Sequence, residues 1–413
     1  MCRHWRGVLL KHGALWSQLF LGKGEECLST LLERAKGSAL DIITDWSVPD
    51  GIITLISPRA QRIAYLEFVD SYWRDVIAFS ELNSGQLPLL HTLKIKAYNH
   101  LDPDGEHIVP IPPSLRFFKG SINLQQFELS SSSLTTLSHF TFPNLTTFKL
   151  PPSPSENFNA SYLFDFLKAS PLLETVEMNI VAEIDLSDIP QEMVVVLPNV
   201  KIFSLHVPDN VSPQVFDVAS NISCPCAQST SLTHYACDDQ ITTALEAFPS
   251  PAVWDIIVRQ YTASPVEEVT LEAAHFEGET DCFLTLRCSD TTVVSLGFIL
   301  HETGANEGDL VEIGWEIFSQ ALATIQNLLA LSYVKRLHIK QRADMPDKEV
   351  ECMETIVKLA KSQHALGVPF ERVTVRTLGL HPEMAKELGR WVAVVDCDAW
   401  RIGGRRGPVE FLY

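Results

Sequence analysis

Residues 63–68 read Ile-Ala-Tyr-Leu-Glu-Phe and residues 90–95 read Leu-His-Thr-Leu-Lys-Ile, so both segments place apolar side chains at their first, fourth and sixth positions. The same spacing recurs along most of the chain, and its copies begin at residues 63, 90, 124, 145, 173, 200, 232, 266, 334 and 370. Successive copies start 21 to 36 residues apart, except for one interval of 68 residues that predicts a degenerate copy inside it. Self-similarity on this scale predicts a repeat protein.

The repeat pattern predicts an α/β fold class. Helix-like stretches precede several of the copies, at residues 72–82, 162–169, 317–331 and 351–365. A helix, a Pro or Gly stop and a short strand would then form one unit, with successive strands parallel in one sheet. The strand pattern is that of a leucine-rich repeat, so we expect a leucine-rich-repeat-like open solenoid (horseshoe) with helices outside. Residues 281–300 instead predict two strands joined by a turn, and we take them as the degenerate copy.

Composition excludes several classes of function. The 413 residues carry 32 basic and 51 acidic side chains, a net charge of -19, which argues against nucleic acid or an anionic membrane as a partner. No stretch reaches the roughly 18 consecutive apolar residues of a membrane span, and the first residues do not form a signal peptide. The nine cysteines have no framework spacing. We therefore expect reduced thiols and an intracellular protein, cytoplasmic or nuclear.

The sequence lacks the motifs of catalysis. No nucleotide-binding glycine loop and no hydrolase elbow is present, so we expect neither an enzyme nor a cofactor. Cys224-Pro-Cys226 with His234 and Cys237 suggests a zinc site, but the one-residue spacing and the Pro favour ordinary loop and core thiols. Residues 102–106 suggest a calcium loop, but its ligand set is incomplete, which favours a solvated turn.

A cluster of basic residues lies between the apolar positions of the last repeats, where strand side chains point away from the core. Its members are the candidate protein-binding residues Arg336, His338, Lys340, Arg372 and Arg376; earlier copies carry Lys94, Lys96, Glu177, Glu268 and Glu272 there. One hypothesis is a dock for an acidic or phosphorylated protein segment, because arginine forks suit carboxylates and phosphates. The alternative is a solvated face neutralised by nearby acids such as Asp347, Glu349 and Glu351. A second basic patch lies near the C-terminus and contains Arg401, Arg405 and Arg406. We interpret it as part of a flexible tail.

The first forty residues resemble a known family. Cys2-Arg-His-Trp5-Arg6 followed by Ala14-Leu15-Trp16-Ser17 resembles the end of the F-box in proteins of mushroom-forming fungi, and residues 31–40 resemble the helix and first strand that follow it. In such proteins a leucine-rich-repeat-like arc then runs to the C-terminus. The resemblance implies a helical remnant of an F-box at residues 1–22 and an α/β solenoid at residues 23–413. We expect residues 1–20 to be helical, with Trp5, Leu15 and Trp16 buried.

The family implies a non-enzymatic role as the substrate-recognition subunit of an SCF-type ubiquitin ligase, with a target protein docked on the concave repeat face. The Leu-Pro-containing opening helix that contacts the Skp1-type adaptor has no counterpart in this sequence. Either the gene model is truncated or the chain is a degenerate member. We therefore expect the adaptor as a partner only if the F-box is completed upstream. The alternative is a free-standing leucine-rich-repeat scaffold without ubiquitin-ligase function.

Overall fold

The structure is a computed structural model, and it describes residues 3–45, 48–82, 87–98, 118, 121–131, 134–152, 158–180, 184–185, 194–207, 218–237, 260–261, 264–276, 279–301, 334–341, 346–377, 382–399 and 409–411. The chain divides into two compact units, residues 1–200 (unit 1) and residues 201–413 (unit 2). Both units combine helices with strands, which confirms the predicted α/β class.

Unit 1 contains a parallel sheet. Its helices are α1 (Arg3–Lys11), α2 (Glu25–Ala35), α3 (Asp50–Ile56), α4 (Trp73–Leu82) and α5 (Ala160–Lys168), with 3-10 turns at Gly13–Trp16, Ser57–Arg62 and Leu134–His139. Its strands are β1 (Gln18–Phe20), β2 (Leu40–Asp45), β3 (Ile63–Tyr72), β4 (Thr92–Tyr98), β5 (Gln126–Ser131), β6 (Thr147–Leu150), β7 (Phe158–Asn159), β8 (Thr175–Asn179), β9 (Ile184–Asp185) and β10 (Val195–Val196). The sheet order is β1-β2-β3-β4-β5-β6-β8, and β7 pairs separately with β9. Within the described residues β1 and β8 do not pair with each other, so this sheet is not a closed barrel.

Unit 2 contains a mixed sheet. Its helices are α6 (Pro346–Ala365) and α7 (Pro382–Leu388), and its strands are β11 (Ile202–Val207), β12 (Ile222–Ser223), β13 (Ser229–Cys237), β14 (Val266–Phe276), β15 (Glu279–Cys288), β16 (Val293–His301), β17 (Arg336–Gln341), β18 (Arg372–Thr377), β19 (Val394–Ala399) and β20 (Val409–Phe411). The sheet order is β11-β13-β16-β15-β14-β17-β18-β19-β20. All ten copies of the sequence pattern therefore coincide with strands.

The expectation that successive strands are all parallel is wrong in unit 2. β14, β15 and β16 form an antiparallel meander, and β16 rather than β14 lies beside β13. The reason is the short connection between β15 and β16, since a turn this tight joins only antiparallel strands. Asp290 accepts a hydrogen bond from the Thr292 amide at 3.0 Å, and Thr291 adopts a φ of 74°. The predicted strand pair at residues 281–300 is confirmed.

The repeats of unit 1 share one local geometry. The first apolar residue of the pattern donates its amide hydrogen to the carbonyl three residues earlier in six copies, those that start at Ile63, Leu90, Leu124, Leu145, Leu173 and Val200. Three asparagines that precede such a residue also bond to the repeat before them. Asn123 donates to the Pro88 carbonyl at 2.7 Å, Asn144 to the Ile122 carbonyl at 2.7 Å and Asn199 to the Pro171 carbonyl at 3.0 Å. Each of these asparagines joins adjacent repeats.

The core of unit 1 is rich in phenylalanine. Phe127 is 1% exposed, and the centroid of its ring lies 4.8 Å from that of Phe140, 5.2 Å from that of Phe142 and 5.8 Å from that of Phe166. Aromatic pairs at these separations contribute about 0.5–1.5 kcal/mol each beyond the area that they bury. This cluster fixes the apolar side of β5 and β6, so the polar residues of these strands lie on the opposite face.

The N-terminal prediction is wrong in two respects. Residues 18–20 form β1, which pairs with β2, and are not helical. Trp5 and Leu15 are 61% and 60% exposed, while Trp16 is half-buried. The helix α1 ends before Gly13, and the fully buried Leu19 of β1 contacts the core in place of Trp5 and Leu15. Trp16 donates its indole N–H to the Leu9 carbonyl at 2.8 Å.

Several predictions concern residues beyond those that the structure describes. These are the helix at residues 317–331, the calcium-like segment at residues 102–106 and the basic patch of Arg401, Arg405 and Arg406. The side chains of Asp347, Glu349, Glu351, His234 and Cys237 are also outside the described part of the chain.

Candidate functional site: the polar face of the unit 2 sheet

The polar face of the unit 1 sheet provides a reference for judging unit 2. One row across five neighbouring strands alternates in charge and contains Glu67, Lys94, Glu128, Lys149 and Glu177. Lys149 Nζ lies 2.6 Å from Glu177 Oε2, and Lys94 Nζ lies 3.4 Å from Glu128 Oε2. Opposite charges on adjacent strands stabilise a sheet, so each lysine of this row lies between two acidic neighbours that favour it.

The central row of unit 2 is composed of polar residues. Strand register aligns Ser204, Ser231, Ser295, Thr285, Thr270, His338, Thr374 and Asp396 across eight strands. The residues before and after these positions on β14, β17 and β18 are buried apolar side chains such as Leu337 and Ile339. This alternation places the polar row on the face opposite the core.

Charged residues occupy the two rows beside the central one. One row contains Arg287, Glu268, Arg336 and Arg372, and the other contains Phe283, Glu272, Lys340 and Arg376. In the latter row, Gly297 lies next to Phe283, and a Cβ on Gly297 would come 2.5 Å from the nearest Phe283 ring carbon. The face therefore carries hydroxyl groups on one side and charges around β14, β17 and β18.

Two pairs of cations lie side by side on β17 and β18. Arg336 is the register neighbour of Arg372, and Lys340 is the register neighbour of Arg376. We call these four residues the basic frame; His338 and Thr374 lie at its centre. Like charges directly opposite each other destabilise a sheet. The arrangement is the reverse of the alternating row in unit 1.

Acidic side chains flank the basic frame. On β14, Glu268 Oε2 lies 3.4 Å from Arg336 Nη1, and Glu272 Oε2 lies 3.1 Å from Lys340 Nζ. On β19, Asp396 Oδ2 lies 3.4 Å from Arg372 Nε. The side chains of Arg336 and Arg372 nevertheless remain 44% and 51% exposed. The guanidinium groups are therefore accessible to a ligand.

His338 is a neutral donor and acceptor at the centre of the frame near neutral pH. Burial lowers the pKa of His338 from its ordinary value of 6.5, and this effect outweighs the opposite effect of the Glu268 carboxylate, which lies 3.8 Å from Nε2. The neighbouring cations Arg336, Lys340 and Arg372 lower this pKa further. His338 therefore adds hydrogen-bonding capacity to the frame without a fifth positive charge.

The structure brings all five predicted basic-cluster residues onto one face. It also adds residues that the sequence did not suggest, namely Asp396 on β19 and Arg287 on β15. The strand β19, which carries Asp396, could have been found in the sequence, because Val392-Ala-Val-Val395-Asp-Cys397 keeps the spacing of the repeat pattern. Acids that contact the cluster within the described residues include Glu267, Glu268, Glu272 and Asp396, and they come from other strands of the sheet.

The remaining candidate features are separate from this face. Cys224 is buried and Cys226 is exposed, and burial raises the pKa of the Cys224 thiol. Among the described side chains, no group of three or more His, Cys, Asp or Glu residues is placed to hold a metal ion. None of the described helices is long and apolar enough to cross a membrane. Trp16, in the N-terminal segment, packs its ring 4.8 Å from the Arg34 guanidinium.

The comparisons with known proteins find solved structures that are similar to this chain. No protein-family model matches the sequence, and no curated protein matches it. Among solved structures, the chain is similar to InlP of Listeria monocytogenes, with 11% sequence identity and a TM-score of 0.24. The match covers 70% of this chain and 88% of that chain.

Proposed function

We propose that the chain is a non-enzymatic protein-binding module that contacts its partner with the polar face of the unit 2 sheet. The observation that carries this proposal is the pairing of Arg336 with Arg372 and of Lys340 with Arg376. Such like-charge neighbours reduce the stability of a sheet, whereas unit 1 shows that this chain also builds a matched row. A partner that supplies negative charge accounts for keeping the cations side by side.

The architecture of the proposed module is leucine-rich-repeat-like. This proposal is supported by the ten strands that share one sequence pattern and by the turn that recurs before six of them. Repeat proteins of this kind present a broad surface on which each strand contributes a few outward side chains. The polar rows of unit 2 are such a surface.

The more specific role that we propose is substrate recognition for an SCF-type ubiquitin ligase. It is supported by the resemblance of the first forty residues to an F-box, and within that segment Trp5 and Leu15 are exposed and so accessible to a partner. A Skp1-type adaptor would bind there. Without that contact, the same surface belongs to a free-standing repeat scaffold.

Adaptor binding separates these two roles. The experiment compares residues 1–413 with a fusion that carries a complete F-box helix in front of residue 1. In the receptor role, the fusion binds a purified Skp1-type adaptor and Trp5→Ala/Leu15→Ala in the fusion weakens binding. If the substitutions leave binding unchanged, Trp5 and Leu15 do not belong to the adaptor surface.

Affinity capture from source cells tests the protein-binding face. The bait proteins are the full chain, its Arg336→Glu/Arg372→Glu variant and a Lys358→Glu control on the exposed side of α6. We expect a set of proteins that bind the full chain and the control but are lost with the double variant. Capture that does not distinguish the two variants would contradict a partner surface on β17 and β18.

A further inference from the structure

The chemistry of the basic frame identifies the kind of ligand that it suits. The four cationic side chains come from two adjacent strands, which lie about 4.8 Å apart. On each strand the central residue, His338 or Thr374, lies two positions from the cation before it and two positions from the cation after it. Each of these separations is about 6.6 Å along the strand. Long Arg and Lys side chains from both ends can therefore converge on one group placed above the centre.

The flanking acids discriminate between possible anions. The carboxylates of Glu268, Glu272 and Asp396 already neighbour the frame on its two outer sides. A single carboxylate from a ligand would only exchange one carboxylate–cation contact of the frame for another of the same kind. An extended acidic segment that crosses the frame would also pass over these acids and be repelled by them.

A phosphoryl group differs from a carboxylate in both charge and geometry. It carries about -1.5 to -2 charges at neutral pH and three acceptor oxygens, so it can accept from several guanidinium donors at once. The exposed forks of Arg336 and Arg372 suit bidentate contacts with such oxygens. In the register of the two strands the half-buried His338 lies between the cations, and its imidazole is a further hydrogen-bonding group; Thr374 beside it is buried.

We propose that the basic frame holds a single phosphoryl group on a phosphorylated serine or threonine segment of a protein partner. This inference rests on the proposed protein-binding function and specifies its ligand. Arg336 and Arg372 bind the phosphoryl oxygens from one end, and Lys340 and Arg376 bind them from the other end. The acids on β14 and β19 hold the cations in place before the ligand arrives and exclude segments with many carboxylates.

The direct test uses fluorescent, degenerate peptide pools with a central phosphoserine or phosphothreonine. The control pools have serine, threonine or glutamate at the centre, and binding to the full chain is followed by fluorescence anisotropy. We expect the phosphorylated pools to bind at least about tenfold more tightly than the other pools, because charge-assisted bidentate contacts are lost without the phosphoryl group. Equal binding of the phosphorylated and glutamate pools would overturn the proposal.

Two double variants test the frame itself. Arg336→Gln/Arg372→Gln removes one end, and Lys340→Gln/Arg376→Gln removes the other. Each should weaken binding of the phosphorylated pools by about tenfold or more, whereas Lys94→Gln/Lys149→Gln, the matched change in the alternating row of unit 1, should leave it unchanged. Circular dichroism checks that each variant is folded. An equal loss in the unit 1 control would overturn the proposal.

Phosphatase treatment separates failure of this inference from failure of the proposed function. We expect proteins captured through β17 and β18 to be lost when the cell extract is treated with phosphatase before capture. Proteins that remain sensitive to Arg336→Glu/Arg372→Glu but not to phosphatase would support the protein-binding face and overturn the phosphoryl ligand. If no captured protein is sensitive to the substitutions, both proposals fail.

Discussion

The difference between the two charged faces predicts opposite responses to loss of one cation. In unit 1, Lys149 lies between Glu128 and Glu177 in the register of the sheet. In unit 2, Arg372 lies between Arg336 and the strand that carries its partner Asp396. Replacing either cation with Gln removes one positive charge from a strand at similar exposure. We expect Lys149→Gln to lower the free energy of unfolding and Arg372→Gln to change it little.

The magnitudes follow from counting neighbours. A favourable or unfavourable charge pair across a sheet contributes about 0.2–1 kcal/mol. Lys149 has two acidic neighbours, and its side chain is 44% exposed, so screening places its loss at about 1 kcal/mol. For Arg372, the attraction to Asp396 at 3.4 Å and the repulsion from Arg336 oppose each other. The net change should lie within about 0.5 kcal/mol of zero.

Urea unfolding at low salt and in about 1 M NaCl measures the electrostatic part of each change. At the higher salt concentration charge pairs are largely screened, so the cost of Lys149→Gln should shrink while the contribution of lost side-chain packing remains. The low-salt minus high-salt difference is therefore the quantity to compare. A difference for Arg372→Gln as large as that for Lys149→Gln would refute the argument that the basic frame is electrostatically unfavourable.

Three other predictions test the core, the repeats and the centre of the frame. Phe127→Ala should lower the free energy of unfolding by about 3–5 kcal/mol in denaturant titrations, whereas Phe127→Leu should cost less, because it leaves a smaller cavity in the aromatic cluster. Asn144→Ala should lower the free energy of unfolding by about 0.5–1.5 kcal/mol, since it removes the donor to the Ile122 carbonyl. The control is Thr146→Ser, which keeps a hydroxyl that can donate to the Gln125 carbonyl. In NMR titrations the pKa of His338 should lie below 6.5, rise in Arg336→Gln and fall further in Glu268→Gln. Because its folded-state pKa is lowered, the stability that His338 contributes is present above about pH 6.5 and is lost as the pH falls through that folded-state pKa.

Local patterns in the sequence were sufficient to locate most strands. The apolar spacing is set by burial of alternate side chains against the core, so each copy predicts a strand without knowledge of its neighbours. The hairpin at residues 281–300 could be predicted for the same reason, since its turn residues are adjacent in sequence. The strand β1 could not, because its three residues are too few to show a period and its formation depends on pairing with β2.

The charge environment of the candidate site could not be predicted from local sequence. Lys340 and Glu272 are 68 residues apart, and their contact depends on the register between β14 and β17. The sequence therefore suggested acids close in the chain, at residues 347–351, whereas the contacts that the structure describes come from β14 and β19. The exposure of Trp5 and Leu15 was mispredicted for a related reason, since the contact of β1 with the sheet decides which apolar residues reach the core.

Site-specific photo-crosslinking tests the central claim most directly. A photoreactive amino acid is placed at Thr270 or Ser295 on the polar face of unit 2, or at Glu354 on the exposed side of α6, and the full chain is irradiated in source cells. We expect crosslinks to the same partner proteins from Thr270 and Ser295, and we expect these crosslinks to be lost in Arg336→Glu/Arg372→Glu. Crosslinks of equal yield from Glu354, or crosslinks from the face that survive the double substitution, would contradict a partner surface on this sheet.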